Sequence, residues 1–276
     1  MTINLKGKLL DFKKPKIMGI LNVTPDSFYD GGKFNSEKKI LLHVEKMLVD
    51  GADIIDIGGA SSRPGANQTS LDLELKRVIS AIEIIKKKFN NAIISVDTFR
   101  SKVAEKAILS GASIINDISG GEFDRNMFKC VAENKVPYII MHMKGNPTTM
   151  QKKPIYKNVV TDIIKNLSKK IYFARQHGVL DIIIDPGFGF GKTLEHNYQI
   201  LKNLEHFKEL DCPILVGLSR KSMIYKLLKS SSEKSLNGTT SLNTISIQNG
   251  ASILRVHDVR EAKEVIELIT FMNKTP

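Results

Sequence analysis

Apolar positions along this chain switch repeatedly between two periods. Eight short runs rich in β-branched residues, at 17–22, 53–58, 92–97, 113–117, 137–142, 181–185, 213–219 and 251–257, are apolar at consecutive positions. That is the pattern of strands covered on both faces. The intervening segments follow the helical period. In 36–50, Ile40, Leu41, Val44, Met47 and Leu48 share one helix face, with Ser36 placed to cap its start and Gly51 its end. In 69–88, Leu71, Leu75, Val78, Ile79 and Ile82 are in register, and Thr69 and Asp72 are spaced as a capping box. Eight β/α units in one direction predict an α/β fold, a single (β/α)8 barrel over residues 1–276, with an open doubly wound sheet as the competing architecture. The strand-like stretches TINLKG and KLLDF at the start predict a short N-terminal β-hairpin that closes the bottom of the barrel.

Composition narrows the class. No window reaches the ~20 consecutive apolar residues of a membrane helix, so no membrane association is expected. The N-terminal stretch MTINLKGKLLDFKKPK lacks the apolar core and cleavage site of an export signal. Cys130 and Cys212 are far apart and form no metal-binding pair. Together these features predict a cytoplasmic protein. The net charge of +12 comes from a lysine-rich composition, 33 of 41 basic residues, without Trp or aromatic–basic interleaving. Nucleic acid is therefore not expected as a partner, whereas a positive field favours small anionic substrates.

In such a barrel, ligands sit where strands end. The strand ends carry Asn22, then Ser61, Ser62 and Arg63, then Asp97, Asn116 with Asp117, His142, Asp185, Ser219 with Lys221, and Arg255 with His257. Taken singly, each has an ordinary structural explanation: an Asp capping a helix, an Asn holding a turn, a histidine satisfied in the core. A ring of directional and ionisable groups at one end of a barrel is harder to explain by capping alone. The stretch DPGFGFGKT, 185–193, imitates a phosphate loop but fails on spacing, because the required first glycine is Pro186, which has no N–H. Its glycines are read instead as a strand-to-helix loop that brings Phe188 or Phe190 against a flat ligand.

Seven segments resemble the dihydropteroate synthase family in order: IMGILNVTPDSFYDGG, DIIDIGGASSRPGA, SVDT, NDISGG, DPGFGFGK, GLSRKS and RVHD, spanning residues 17–258. One departure stands out, Ala60 where the family usually carries glutamate; Ser62 replaces a threonine and keeps its hydroxyl. The resemblance implies an enzyme, a transferase of folate biosynthesis. It would join 6-hydroxymethyl-7,8-dihydropterin pyrophosphate to p-aminobenzoate by an SN1-like loss of pyrophosphate. A methyltetrahydrofolate methyltransferase-like enzyme and a catalytically silent pterin-binding paralogue are the alternatives.

Chemistry assigns roles within that expectation. The pterin edge offers N–H donors beside a carbonyl, which suits Asp97, Asn116, Asp185 and Lys221, with Met141 against the ring. Pyrophosphate would meet Asn22, Ser62, Arg63, Arg255 and His257, with Mg²⁺ bridging its oxygens to Asn22. The expected p-aminobenzoate site is Ser62, Pro64, Phe190, Lys221 and Ser222. Arg255, His257, Lys221 and Asn22 are the residues expected to act on the reaction itself. Residues 23–34 and 60–69, poor in apolar anchors, are expected to order around pyrophosphate and Mg²⁺, so that p-aminobenzoate binds last. A family-like homodimer would use the apolar positions of TTSLNTISIQNG.

Overall fold

The computed structural model describes residues 1–23, 33–60, 69–145, 150 and 154–275, with side chains from residue 37 onward in the second of these segments. A hairpin of β1 (Thr2–Leu5) and β2 (Lys8–Asp11) precedes the barrel strands: β3 (Lys16–Asn22), β4 (Ile54–Gly58), β5 (Ile93–Asp97), β6 (Ile114–Asp117), β7 (Tyr138–Met141), β8 (Ile182–Asp185), β9 (Leu215–Val216) and β10 (Ile253–Val256). The barrel strands pair in parallel in the order β8-β7-β6-β5-β4-β3-β10-β9. A parallel bridge between Ile184 and Ile214 joins the two ends, so the sheet closes on itself. This decides against the open sheet.

The helices follow the strands: α1 (Lys33–Val49), α2 (Leu71–Lys88), α3 (Ser101–Leu109), α4 (Met127–Glu133), α5 (Val159–Gln176), α6 (Leu194–Lys202) and a 3-10 turn (Leu204–Leu210), α7 (Ser222–Tyr225), α8 (Leu236–Gln248) and α9 (Val259–Met272). Two predicted caps shift. α1 begins at Lys33, so Ser36 falls inside its first turns and is not the cap. α2 is capped by Ser70, whose side chain accepts the Leu73 N–H. Thr69 lies outside that helix, and its carbonyl accepts from Arg100 Nη2 at 2.7 Å. Gly51 does end α1, with φ +103, a conformation that favours glycine.

Period-two alternation explains why the strands read as nearly continuous apolar runs. Outward residues such as Ile55, Ile57, Ile94, Val96 and Ile115 meet the helices in the main core. Inward residues build a second cluster: Met18, Ile54, Ile114, Ile139, Ile183, Leu215 and Ile253 are buried there, with Ile93 packed against them. Each barrel strand thus contributes one apolar side chain to a floor. Ile3 and Leu5 of the hairpin are buried in the same cluster, beside Leu10 and Phe12, so the N-terminal hairpin plugs the barrel from below as the sequence predicts. Asn22, Asp56, Asp97, Asn116, Asp185 and Arg255 follow the floor residues by two or four positions on their strands and so lie above it.

Candidate active site

Strand register brings the polar positions together. Asn22 pairs with Gly58, Gly58 with Asp97, and Asp97 with Asn116, so residues from four adjacent strands stand at one level of the mouth. Gly58 keeps that level open: a Cβ there would sit 3.2 Å from Asn22 Oδ1 and 4.0 Å from the Asp97 Cβ. On the other side of the barrel Met141 pairs with Asp185.

Arg255 crosses the mouth and ties these groups into one network. Its Nε donates to Asp56 Oδ2 at 2.6 Å and its Nη2 to Asp97 Oδ2 at 2.8 Å, while Asn116 Nδ2 donates to Asp56 Oδ2 at 3.1 Å. Burial works against the guanidinium charge, but the Asp56 and Asp97 carboxylates more than offset it and hold its pKa above the usual value. Burial likewise pushes the Asp97 carboxyl upward, against the pull of Arg255, and the neighbouring Asp56 charge adds to the rise. Asp56 is wholly buried, and its Oδ1 has no hydrogen-bond partner among the described residues.

Asp185 and Lys221 form the second half. Asp185 Oδ1 accepts the Gly187 N–H at 2.7 Å. Burial raises its pKa and the nearby Lys221 charge opposes the rise. The Lys221 ammonium donates to the Phe188 carbonyl and lies 4.8 Å from the centre of the Phe190 ring, a cation–π distance. Burial pulls the Lys221 pKa down to about 8, although Asp185 favours its charged form. Beside these charges Ile118, Met141, Met143 and Met150 form a small buried cluster packed against Phe99 and Phe190. The mouth therefore offers a flat ligand acceptors along one edge, cations along another and an apolar surface for its ring.

The motifs and the barrel that carries them have counterparts among known proteins. Residues 18–257 match the family model described as pterin binding enzyme. The chain belongs to the pterin-binding enzyme family. Among curated relatives, the dihydropteroate synthase of Haemophilus influenzae is 43% identical over 97% of this chain and 98% of its own. Among solved structures, dihydropteroate synthase of Yersinia pestis, in a complex with a sulfonamide drug, superposes with a TM-score of 0.92 at 39% identity, covering 99% of both chains. That of Xanthomonas albilineans, with 4-aminobenzoic acid, gives 0.92 at 36% identity, covering 100% of this chain and 99% of the other.

Within this pterin-binding enzyme most of the expected residues converge. Asn22, Asp97, Asn116, Met141, Asp185, Phe190, Lys221 and Arg255 lie at the mouth as described. His257 is solvent-exposed beside them, with Nδ1 3.1 Å from Ser219 Oγ, and Ser222 opens α7 directly after Lys221. Ser61, Ser62, Arg63 and Pro64 lie outside the described residues, as does most of 23–34; the end of that stretch, 33–34, begins α1.

Two strand-end residues have other duties. Asp117 points to the helix side, where it accepts from Tyr138 Oη at 2.6 Å and from the Ser119 and Gly121 N–H groups at 2.7 and 3.0 Å. It follows Asn116 by one position, so the pleat turns it to the opposite face. His142 is buried against Lys192 Nζ at 3.0 Å, and burial followed by that neighbouring charge pulls its pKa down to about 2. It is a neutral core histidine.

Sequence reasoning missed Asp56, which sits in the middle of the run IIDIG rather than at its end. The signal was available: an aspartate inside an otherwise apolar strand, two residues before an inward glycine. It also missed a hub beside the second segment. Buried Glu74 accepts from Thr98 Oγ1 at 2.6 Å and pairs with Arg100, whose Nη2 holds the Thr69 carbonyl, while Arg77 Nη1 donates to the Gly59 carbonyl at 3.0 Å. The described flanks of residues 61–68 are thus anchored by helix α2 and the start of α3, without a carboxylate at Ala60.

Proposed function

We infer that this chain condenses 6-hydroxymethyl-7,8-dihydropterin pyrophosphate with p-aminobenzoate, releasing pyrophosphate and forming dihydropteroate. The observation that carries the reading is the juxtaposition of Asp56, Asp97, Asn116 and Asp185 with Lys221 and Arg255 around the Met141–Phe190 surface. A pterin presents paired N–H donors next to a carbonyl acceptor; Asp185 and Asn116 meet the donors and Lys221 the acceptor. Arg255, already held by two carboxylates, faces the leaving group with a fixed guanidinium, and His257 and Asn22 stand at the same rim.

Loss of pyrophosphate leaves a cationic methylene on the pterin, which the ring delocalises and the surrounding carboxylates favour. The arylamine nitrogen of p-aminobenzoate is neutral at pH 7, attacks without a general base and loses its proton afterwards. Its ring would lie between Phe190 and the Lys221 stem, with Ser222 near its carboxylate; Ser62 and Pro64 complete the proposed pocket. Ser62 and Arg63 also belong to the proposed pyrophosphate contacts.

Mg²⁺ is part of this reading. Among the described residues no group of three or more His, Cys, Asp or Glu side chains could hold a metal ion. The single amide oxygen of Asn22 suits a hard cation that takes its remaining ligands from phosphate oxygens and water. Bound there, the ion would neutralise charge on the departing pyrophosphate.

The proposed setting is a cytoplasmic homodimer. Cys130 and Cys212 are free thiols, and among the described residues no helix is long and apolar enough to cross a membrane. Ile245, within the stretch expected to form the subunit face, is exposed on α8, and Leu268 and Phe271 of α9 are exposed as well, which supports an apolar face there. Light scattering of wild type and Ile245→Glu checks this: a dimer converted to monomer is the expected result. For the activity, the deciding experiment is complementation of a strain lacking dihydropteroate synthase, paired with a pyrophosphate-release assay that requires both substrates. Growth rescue with p-aminobenzoate-dependent release is expected; pterin binding with no turnover would instead identify a silent paralogue.

A further inference from the structure

The lysine of the phosphate-loop imitation is neither exposed nor free to meet a ligand. Lys192 is 4% exposed, and its Nζ donates to the carbonyls of Gly187 at 2.7 Å, Phe190 at 3.0 Å and His142 at 3.3 Å and lies 3.0 Å from His142 Nδ1. Burial pulls its pKa well below the usual lysine value, although the nearby Asp185 charge favours the protonated form. The loop between β8 and α6 is curled around this one nitrogen. Phe190 N–H closes a turn onto the same Gly187 carbonyl at 3.1 Å.

Both substrate-facing ends of the loop run through these contacts. Gly187 offers its carbonyl to Lys192 and its N–H to Asp185 Oδ1 at 2.7 Å, so the residue gripped by the lysine also aims the carboxylate. It does so in a confined position: its φ is +73, and a Cβ would fall 2.0 Å from the His142 carbonyl. Phe190, gripped through its own carbonyl, presents the ring that lies beside Lys221. His142 turns its Nδ1 to the same nitrogen, and burial keeps its imidazole from taking up a competing charge. Burying a lysine amino group among backbone oxygens, with no carboxylate directly bonded to it among the described residues, is costly, and the cost would be avoided by any apolar residue if the loop had no shape to keep.

We propose that Lys192 is a positioning residue that sets Asp185 for the pterin and Phe190 for the arylamine by holding their shared loop on the end of β7. The proposal rests on the pterin-site reading above. It implies that Lys192 acts on pterin binding through Asp185, so removing both should cost little more than removing one.

The test measures calorimetric affinity for 6-hydroxymethyl-7,8-dihydropterin pyrophosphate in wild type, Lys192→Met, Asp185→Asn and the double variant, with thermal melts as the control for folding. Lys192→Met is expected to lose at least tenfold in affinity while melting cooperatively, and to add less than threefold to the loss of Asp185→Asn. The KM for p-aminobenzoate should rise in the same variant through Phe190. Affinity within twofold of wild type, or losses that multiply fully in the double variant, would overturn the assignment. Should Lys192→Met fail to fold, His142→Leu removes one side-chain contact of the Lys192 nitrogen; at least a threefold loss that is again submultiplicative with Asp185→Asn is expected, and unchanged affinity refutes the proposal. Wild type that does not bind the pterin would refute the pterin-site reading itself, whereas a binding wild type with an indifferent Lys192 refutes this inference alone.

Discussion

Arg255 and Asp56 are 199 positions apart in sequence and meet at 2.6 Å, Nε to Oδ2, in the centre of the barrel mouth. The pair is asymmetric: the arginine also serves Asp97, whereas Asp56 is wholly buried and keeps Oδ1 without a partner among the described residues. Neutralising Asp56 removes the better-shielded half of the arginine's countercharge. Asp56→Asn should therefore lower unfolding stability by ~3 kcal/mol, the lower end for breaking one side of a buried pair. Asp97→Asn, at a partly exposed carboxylate, should lower it less. Urea midpoints for the two variants decide; a larger loss at Asp97 would show that the arginine depends mainly on the outer carboxylate.

Asp185 is held from behind at Oδ1 by the Gly187 N–H, and among the described residues no hydrogen bond occupies its other oxygen. A charge-assisted hydrogen bond in a buried site contributes ~1.5–3 kcal/mol, and an asparagine would also turn a donor toward donors. Asp185→Asn should weaken pterin binding by well over tenfold with little change in fold. Unaltered calorimetric affinity would remove Asp185 from the pterin site.

These two aspartates differ in how plainly the sequence announces them. Asp185 ends an apolar run and precedes Pro186 and Gly187, so its place at a strand terminus is readable from local pattern alone. Asp56 is flanked by isoleucines on both sides, and only closure of the sheet, which brings β10 against β3 and β3 against β4, reveals that it faces Arg255. The same distinction covers the rest. Strand and helix periods expose the eightfold alternation and the hairpin because burial is a local regularity. The role of Lys192 is hidden because its acceptors are mostly backbone atoms, to which residue type gives no clue. The cap of α2 is Ser70 and not Thr69, whose carbonyl is held by an arginine 31 positions away, a partner that local spacing does not reveal.

Arg255 should act on the leaving group more than on the ring. Its alanine variant would strand Asp56 as an unpaired buried charge, so Arg255→Lys, which keeps the charge and loses the two-pronged geometry, is the cleaner probe. Turnover should fall by at least tenfold while the affinity for a pterin lacking pyrophosphate changes less than threefold, the signature of an interaction strengthened in the transition state. Parallel losses in both measurements would make the arginine a purely structural strut.

Lys221 supplies a pH prediction with opposite signs for activity and stability. Its ammonium must be charged to donate to the pterin carbonyl and to balance Asp185, and burial brings its pKa down to about 8 in the free protein. kcat/KM for the pterin substrate should therefore decline as pH rises through about 8. In Lys221→Arg that alkaline limb should disappear up to pH ~10, because a guanidinium stays protonated there, even if the plateau is lower. Stability runs the other way. Between the folded value of about 8 and the ordinary lysine value of 10.5, the unfolded chain binds the proton and the folded chain does not. The Lys221 contribution to unfolding free energy therefore rises with pH across that window and is flat below it, where both states are protonated. Subtracting the pH dependence of Lys221→Arg melts from that of wild type isolates this contribution from the other lysines. A difference that falls with pH, or an alkaline limb that survives in Lys221→Arg, would assign the titration to another group and leave Lys221 as a wall of the pocket only.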